Sequence, residues 1–374
     1  MGNCFHTEDK QDSRGKHTVS EYEEFLDDDK SSEDSVCDFV NQRFAPTFVV
    51  VDVTVEELRR ELLSSNWVPT RDFLSKPMSS DDFDWYLDKL SHWTGKPDWL
   101  DDWIESEPES ALPWLVRGCH ALHWARQVRG VDSLEEVGTG LSVRSGKCFR
   151  ERIQTAEHNF NTAAKLAPTL ASPWTKGLLT ARYLRLDMAH VWGRFRELQK
   201  RTRGSFTGCK AMLQALSWKC GGNNTDLLAF AREEAMGAEP GHLLCCLAVF
   251  AHVEIWLGLS LQDAAQSETY FTDEAVCSDV TKAWFNSLKH SAHEPGKFDN
   301  LCFNYFAFCF DKMGCYSKAV EAFESTTGVV SAYPWLYMSR LAGEVDAWSK
   351  KGKHSSALQV FTEARSRCEV RRWG

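Results

Sequence analysis

The chain has 374 residues, of which 43% are hydrophobic and 26% charged, and its formal net charge is −10. That is enough chain for one extended array or two ordinary domains with a buried core, and the composition excludes a wholly disordered or fibrous protein. No run reads as the roughly 20 apolar residues of a membrane span.

The N-terminal segment Met1-Gly2-Asn3-Cys4 carries the pattern for myristoylation at Gly2 followed by palmitoylation at Cys4, except that His6 stands where the pattern wants Ser or Thr. Acylation would make the protein membrane-associated. Otherwise, the lack of an apolar leader predicts a cytoplasmic protein whose thirteen cysteines are reduced thiols. Residues 1–40 hold 12 acidic and 4 basic side chains and few apolar ones, which predicts a disordered acidic tail. Residues 81–109 are acidic too, with 10 carboxylates against 2 cations, while residues 110–374 carry a net +6.

Phe48-Val49-Val50-Val51 reads as one short strand or an extended segment. Thr54-Val55-Glu56-Glu57 is a capping box that opens a helix through Leu62 or Leu63. Ser79-Ser80-Asp81-Asp82 is a second box, ahead of Phe83, Tyr86, Leu87 and Leu90 on one helical face; Gly95 and Pro97 end that helix. From Trp99 onward, apolar residues recur at helical spacing between breaks at Pro or Gly, predicting an all-α protein. The expected divisions are the acidic tail 1–40, an N-terminal helical cap 41–109 and a helical repeat domain 110–374.

Self-similarity is the main signal of the repeat domain. Pro108, Pro113 and Trp114 match Pro168, Pro173 and Trp174 in spacing, and a third Pro-Trp stands at Pro334-Trp335. Gly314, Tyr316, Ala319 and Phe323 recur as Gly352, His354, Ala357 and Phe361. Glycine permits a tight turn between antiparallel helices, alanine lets them approach, and phenylalanine fills the gap one turn along. Ala156, Phe160, Ala163 and Pro168 have the spacing of a second repeat helix and its stop, and Ala235 with Pro240 repeats the end of it.

These residues resemble the tetratricopeptide repeat, over about residues 110–366 and unevenly. The resemblance implies an irregular α-solenoid, stacked helix pairs whose inner face holds a peptide or a partner helix. The wider sequence, through Pro113-Trp114-Leu115, Trp124-Ala125, Met212-Leu213-Gln214-Ala215-Leu216 and His252-Val253-Glu254-Ile255-Trp256, also resembles an uncharacterised, mainly bacterial helical family. That likeness implies the same architecture and no activity.

The chemical motifs are weak. Cys119, His120 and His123 share a helix, and His290 lies near His293, but without Cys-x-x-Cys or His-Glu-x-x-His no metal is expected. Gly140 to Lys147 mimics a phosphate loop with five residues between its glycines, Cys148 in the magnesium position and no preceding strand, and is rejected. Arg194, Arg196, Lys200, Arg201, Arg203 and Lys210 form one basic cluster, and Arg365, Arg367, Arg371 and Arg372 another. Thin aromatic interleaving argues against nucleic acid as the partner. No nucleophile stands beside a base, so no catalytic residue and no cofactor is expected.

The function read from this pattern is a non-catalytic scaffold for a protein or peptide partner. The residues expected to bind it are Arg117, His120, Lys176 and Arg182, which follow the two matching Pro-Trp helix starts. One alternative is an enzyme with its site near the 130–148 connection, which would bring His120 or His123 within hydrogen-bond reach of a carboxylate or thiolate in a closed pocket. Another is a membrane-tethered adaptor acylated at Gly2 and Cys4.

Overall fold

A computed structural model describes residues 52–93, 95–129, 143–341 and 350–372. Gly2, Cys4, the acidic tail, Phe48 to Val51 and residues 130–142 of the long connection lie outside the described residues. Among the described residues there are 17 α-helices and no strand.

Helix α1 (Val53–Leu63) is capped by Asp52 rather than Thr54: the Asp52 carboxylate accepts from the Val55 amide at 3.0 Å. A carboxylate is the stronger acceptor at the positive end of a helix, so it displaces the hydroxyl read from the sequence. After α2 (Val68–Leu74), α3 (Ser80–Leu90) opens as expected at Ser79, whose hydroxyl accepts from the Asp82 amide at 3.0 Å. It ends at Ser91, ahead of Gly95, and α4 (Trp99–Ser106) follows.

Helices α5 (Ala111–Arg129) and α6 (Val143–Leu166) pack as a long antiparallel pair. The end of the connection expected at 130–148 is therefore the first turns of α6. Arg117 Nε donates to Asn159 at one end of the pair (2.8 Å), and Arg152 donates to the Trp124 carbonyl toward the other (2.8 Å). Between them the Phe160 ring lies directly over Gly118, where any Cβ would collide with it. Ala156, Phe160 and Ala163 are all buried.

The chain continues through α7 (Ser172–Leu184), α8 (Met188–Arg201), α9 (Phe206–Ala215), α10 (Asn224–Met236), α11 (Leu247–Gln262), α12 (Ala264–Thr269) and α13 (Glu274–Asn286). Then come α14 (Asp299–Lys312), α15 (Tyr316–Ser325), α16 (Trp335–Leu341) and α17 (Lys350–Arg371). Ala319 and Phe323 on α15, and Ala357 and Phe361 on α17, are all buried. Trp335 stacks on Phe323 at 5.5 Å and meets Phe361 edge-on at 5.3 Å, which joins the two motif copies through a shared aromatic cluster. The copies differ before the helix. Gly314 takes φ +70° in the turn between α14 and α15, whereas Gly352 lies inside α17.

One sequence expectation is corrected here. The 20 residues Leu243–Gln262 are long and apolar enough to cross a membrane, yet 83% of an 18-residue window of that stretch is buried inside the protein. Leu247 to Gly258 are buried without a break, as in the central helix of a large core.

The buried apolar side chains form two clusters. One runs from Val55 to Ala163 and includes Trp103, Leu122 and Phe160; the other runs from Ala171 to Cys368 and includes Phe206, Trp284 and Phe361. Leu179 and Phe298 pack against both clusters and mark the seam between them.

Candidate functional site

The seam holds a cavity of about 300 Å³, at the small end of the range for ligand pockets and at a junction of the kind where they concentrate. Leu179 and Phe298 line it, and its polar groups come from α3, α5, α7, α9 and the short 3-10 helix Trp218–Cys220.

Helix α9 is placed by a single carboxylate. Ser205 caps it, its hydroxyl accepting from the Gly208 amide at 3.0 Å. Asp81 of α3 then reaches across and accepts from the Phe206 and Thr207 amides, both at 2.9 Å, and from the Ser205 hydroxyl at 3.1 Å. The Thr207 hydroxyl lies 2.6 Å from Asp81 Oδ1 and 3.0 Å from Asp84 Oδ2, and donates to one of them. A negative charge at this helix start is favourable, and here it comes from the other core. So anchored, α9 turns Thr207, Lys210, Ala211 and Gln214 into the cavity. Their spacing is one helical face.

Five cations line the cavity: Arg126, Lys176, Arg182, Lys210 and Lys219. Lys176 is buried, 3.7 Å from Asp84 Oδ1 and 3.4 Å from the Asp84 carbonyl. Burial alone would lower its pKa, but Asp84, Cys119 and Asp88 raise it above the ordinary lysine value, so Lys176 stays charged. Burial pushes the Asp84 carboxyl up against the pull of Lys176. Arg126 donates to the Tyr183 hydroxyl at 3.2 Å. Lys219 pairs at 2.9 Å with Glu254, a fully buried residue of α11 that also accepts from Gln214 at 2.7 Å and Tyr337 at 3.2 Å.

Lys210 differs from the rest. Its ammonium group has no ion pair and no hydrogen bond among the described residues. Burial and the charge of Arg126 lower its pKa, with Asp88 the main opposing influence. Asp88 is the second acidic lining residue. Burial would raise its pKa, but His123, Lys176 and Arg126 hold it well below the usual carboxylate range. Counting Glu254 behind Lys219, five cations face three carboxylates.

The rest of the wall is aromatic: Trp85, Phe298, Tyr305, Tyr333 and Tyr337. Tyr305 stacks on Phe250 at 4.0 Å, and its hydroxyl has no hydrogen bond among the described residues. Arg182 and Lys219 also border a second depression of about 830 Å³ beside the start of α6, so they stand between the two spaces. No family model matches the chain, and no curated protein matches its sequence.

The structure brings two of the four expected partner-binding residues, Lys176 and Arg182, into this cavity. The other two lie elsewhere. Arg117 spans α5, α6 and α4, donating to Asn159, facing Asp101 at 3.6 Å and covering the Trp114 ring at 4.6 Å. His120 is buried against Trp124, with ring centroids 5.8 Å apart.

His123 meets part of the criterion set for an enzyme, since its Nε2 lies 3.1 Å from Asp88 Oδ1. Its ring stacks on His92 at 4.6 Å, and of this trio only Asp88 lines the cavity. Cys119 is buried, and burial pushes its thiol up to about 12. Among the described residues, no three His, Cys, Asp or Glu side chains are placed to share a metal ion.

Apart from Lys210, the first basic cluster is largely tied up or peripheral. Arg194 binds Glu157 at 2.5 Å, Lys200 and Arg201 share Glu197, and Arg201 covers Trp174 at 4.7 Å. In the C-terminal cluster Arg367 pairs with Asp311 at 2.6 Å. Sequence reasoning missed Arg126, Lys219 and the tyrosines. It noted Lys210 only as one member of a basic run.

Proposed function

We propose that this chain is a non-catalytic helical-repeat interaction protein, an irregular tetratricopeptide-like α-solenoid that takes an anionic group of its partner into the seam cavity. The observation that carries this reading is Lys210, a cation of the cavity wall with no ion pair and no hydrogen bond among the described residues. Partly desolvated positive charge is costly unless compensated, and Lys210 has no acid paired with it among the described residues. The repeat reading is supported by the seating of Phe160 over Gly118 and of Phe323 and Phe361 around Trp335. The 3.1 Å contact between His123 and Asp88 favours an enzyme, but His123 lies outside the cavity lining and presents no proton donor to it.

Phthalate, a compact organic dianion, serves as the test ligand in calorimetric titration of the full chain. Binding is expected, weakened about tenfold or more in Arg182→Gln, since a hydrogen bond between charged groups contributes roughly 1.5–3 kcal/mol. Equal binding by wild type and variant, or none by either, would remove the cavity from the proposed function.

A further inference from the structure

We infer that the anionic group taken here is the carboxylate of an aromatic acid, held by Lys210, Tyr305 and Thr175 with its ring against Trp85 and Phe298. The inference rests on the reading of the cavity as an anion site and names the chemistry that fills it.

Unfilled donors are the first argument. Lys210 of α9, Tyr305 of α14 and Thr175 of α7 all line the cavity. The Lys210 ammonium and the two hydroxyls have no hydrogen bond among the described residues. Tyr305 is only 5% exposed and Thr175 only 3%, so bulk solvent is a poor substitute for a partner. A buried hydroxyl left unpaired is costly. Three such donors, brought to one space by three helices, suit an acceptor with more than one oxygen. A carboxylate has two, and hydrogen bonds to it are the strong, charge-assisted kind.

Charge is the second. Lys176 is paired with Asp84 and Lys219 with Glu254. Arg126 donates to the Tyr183 hydroxyl and Arg182 covers the Tyr183 ring, so both arginines have partners within the fold. The lining charge that lacks a partner among the described residues is the single one of Lys210, and a monoanion neutralises it. A second negative charge would gain less, because Asp84 and Asp88 share the wall.

Shape is the third. A cavity of about 300 Å³ suits one short organic arm, whereas a phosphodiester, the other common monoanion, carries two. Trp85 and Phe298 line the same space, and aromatic pairs gain more than the area they bury. A free aromatic acid and the C-terminal aromatic residue of a partner share this chemistry.

Calorimetric titration of the full chain at neutral pH, with one ligand at a time, separates the alternatives. Benzoate is expected to bind about tenfold or more tightly than benzamide, which has its shape without its charge, and than acetate, which has its charge without its ring. It should exceed cyclohexanecarboxylate and benzenesulfonate by a few-fold, and phthalate should bind no more tightly than benzoate. Lys210→Gln should weaken benzoate about tenfold or more and leave benzamide unchanged, a contrast that a merely structural role would not produce; Lys210→Arg should retain most of the affinity. Tyr305→Phe should cost a few-fold and leave the helical circular dichroism intact. A tripeptide ending in Phe, as free acid and as amide, identifies the source. A free acid that matches benzoate, with an inactive amide, assigns a partner's C-terminus; a free acid that binds more weakly than benzoate assigns a small aromatic acid.

Benzamide binding as tightly as benzoate, or benzoate binding unchanged in a folded Lys210→Gln, overturns the inference. Acetate or cyclohexanecarboxylate matching benzoate overturns the aromatic part, and benzenesulfonate matching it overturns the carboxylate. Phthalate binding where benzoate does not overturns the inference while leaving the anion site standing. No binding of any anion removes both the inference and the proposed function.

Discussion

Glu254 is a carboxylate in the middle of the most apolar helix of the protein, and its surroundings explain how it is tolerated. Lys219, Gln214 and Tyr337 all donate to it, so no lone charge is left in the core. Burial alone would raise its pKa, but Lys219 and Gln214 bring it below the ordinary glutamate value. The sign of the pH effect follows. The folded state binds the proton less readily than the unfolded state, so this contribution to stability is present at neutral pH and disappears as the pH falls through the acid range. Glu254→Gln removes one partner of a buried pair and should cost about 3–5 kcal/mol, read from urea denaturation. The double variant Lys219→Met/Glu254→Met replaces both charges by apolar groups and should recover most of that loss. Recovery of stability without recovery of anion binding would show that the pair serves the cavity rather than the fold; a double variant as unstable as the single would show the reverse.

At the level of elements, α9 depends on a residue from the opposite core. Asp81 accepts from two backbone amides and the Ser205 hydroxyl at the start of α9, so Asp81→Ala should cost about 2 kcal/mol and speed amide exchange in the first turn of α9. Exchange confined to α3 would contradict that dependence. Asp81 also shows where the sequence was legible and where it was not. Its own helix was readable, because Phe83, Leu87 and Leu90 repeat at helical steps behind the Ser79 cap, and all three are buried. Its partner 125 residues later was not, because nothing local to either segment encodes the contact. The same limit hid Arg126, Lys219 and Tyr305, each of which reaches the cavity from its own element. Lys176 and Arg182 drew attention only because they follow a matching Pro-Trp helix start. One signal was available: Thr207, Lys210 and Gln214 form a polar stripe on a helix whose other residues, Phe206, Met212 and Leu213, are fully buried. A polar stripe enclosed by apolar faces on both sides marks a cavity rather than solvent. The Asp52 cap was missed for a simpler reason, since Thr54 also satisfies the capping pattern two residues later.

For the molecule as a whole, the cavity's position matters more than its size. It lies where two apolar cores meet, and Leu179 and Phe298 are the apolar residues common to the seam and the cavity wall. Direct polar ties across the seam run through Asp81 to α9 and Asp84 to Lys176. A bound dianion would add another, since Arg126 belongs to a helix of the first core and Arg182, Lys210 and Lys219 to the second. A ligand that binds only the folded state stabilises it by RT ln(1 + [L]/Kd), about 2.7 kcal/mol at a hundredfold excess over Kd. If the ligand bridged nothing, the protection would stay with the elements it touches in one half. Because it draws on both, hydrogen exchange with saturating phthalate should slow in α3 and α5 as well as in α7 and α9, and the melting temperature should rise by a few degrees. Helices remote from the seam, such as α13 and α17, should gain only what global stabilisation confers. Protection restricted to α7 and α9 would mean that the two cores respond independently, and that the seam is a packing boundary rather than a place where ligand binding joins the molecule together.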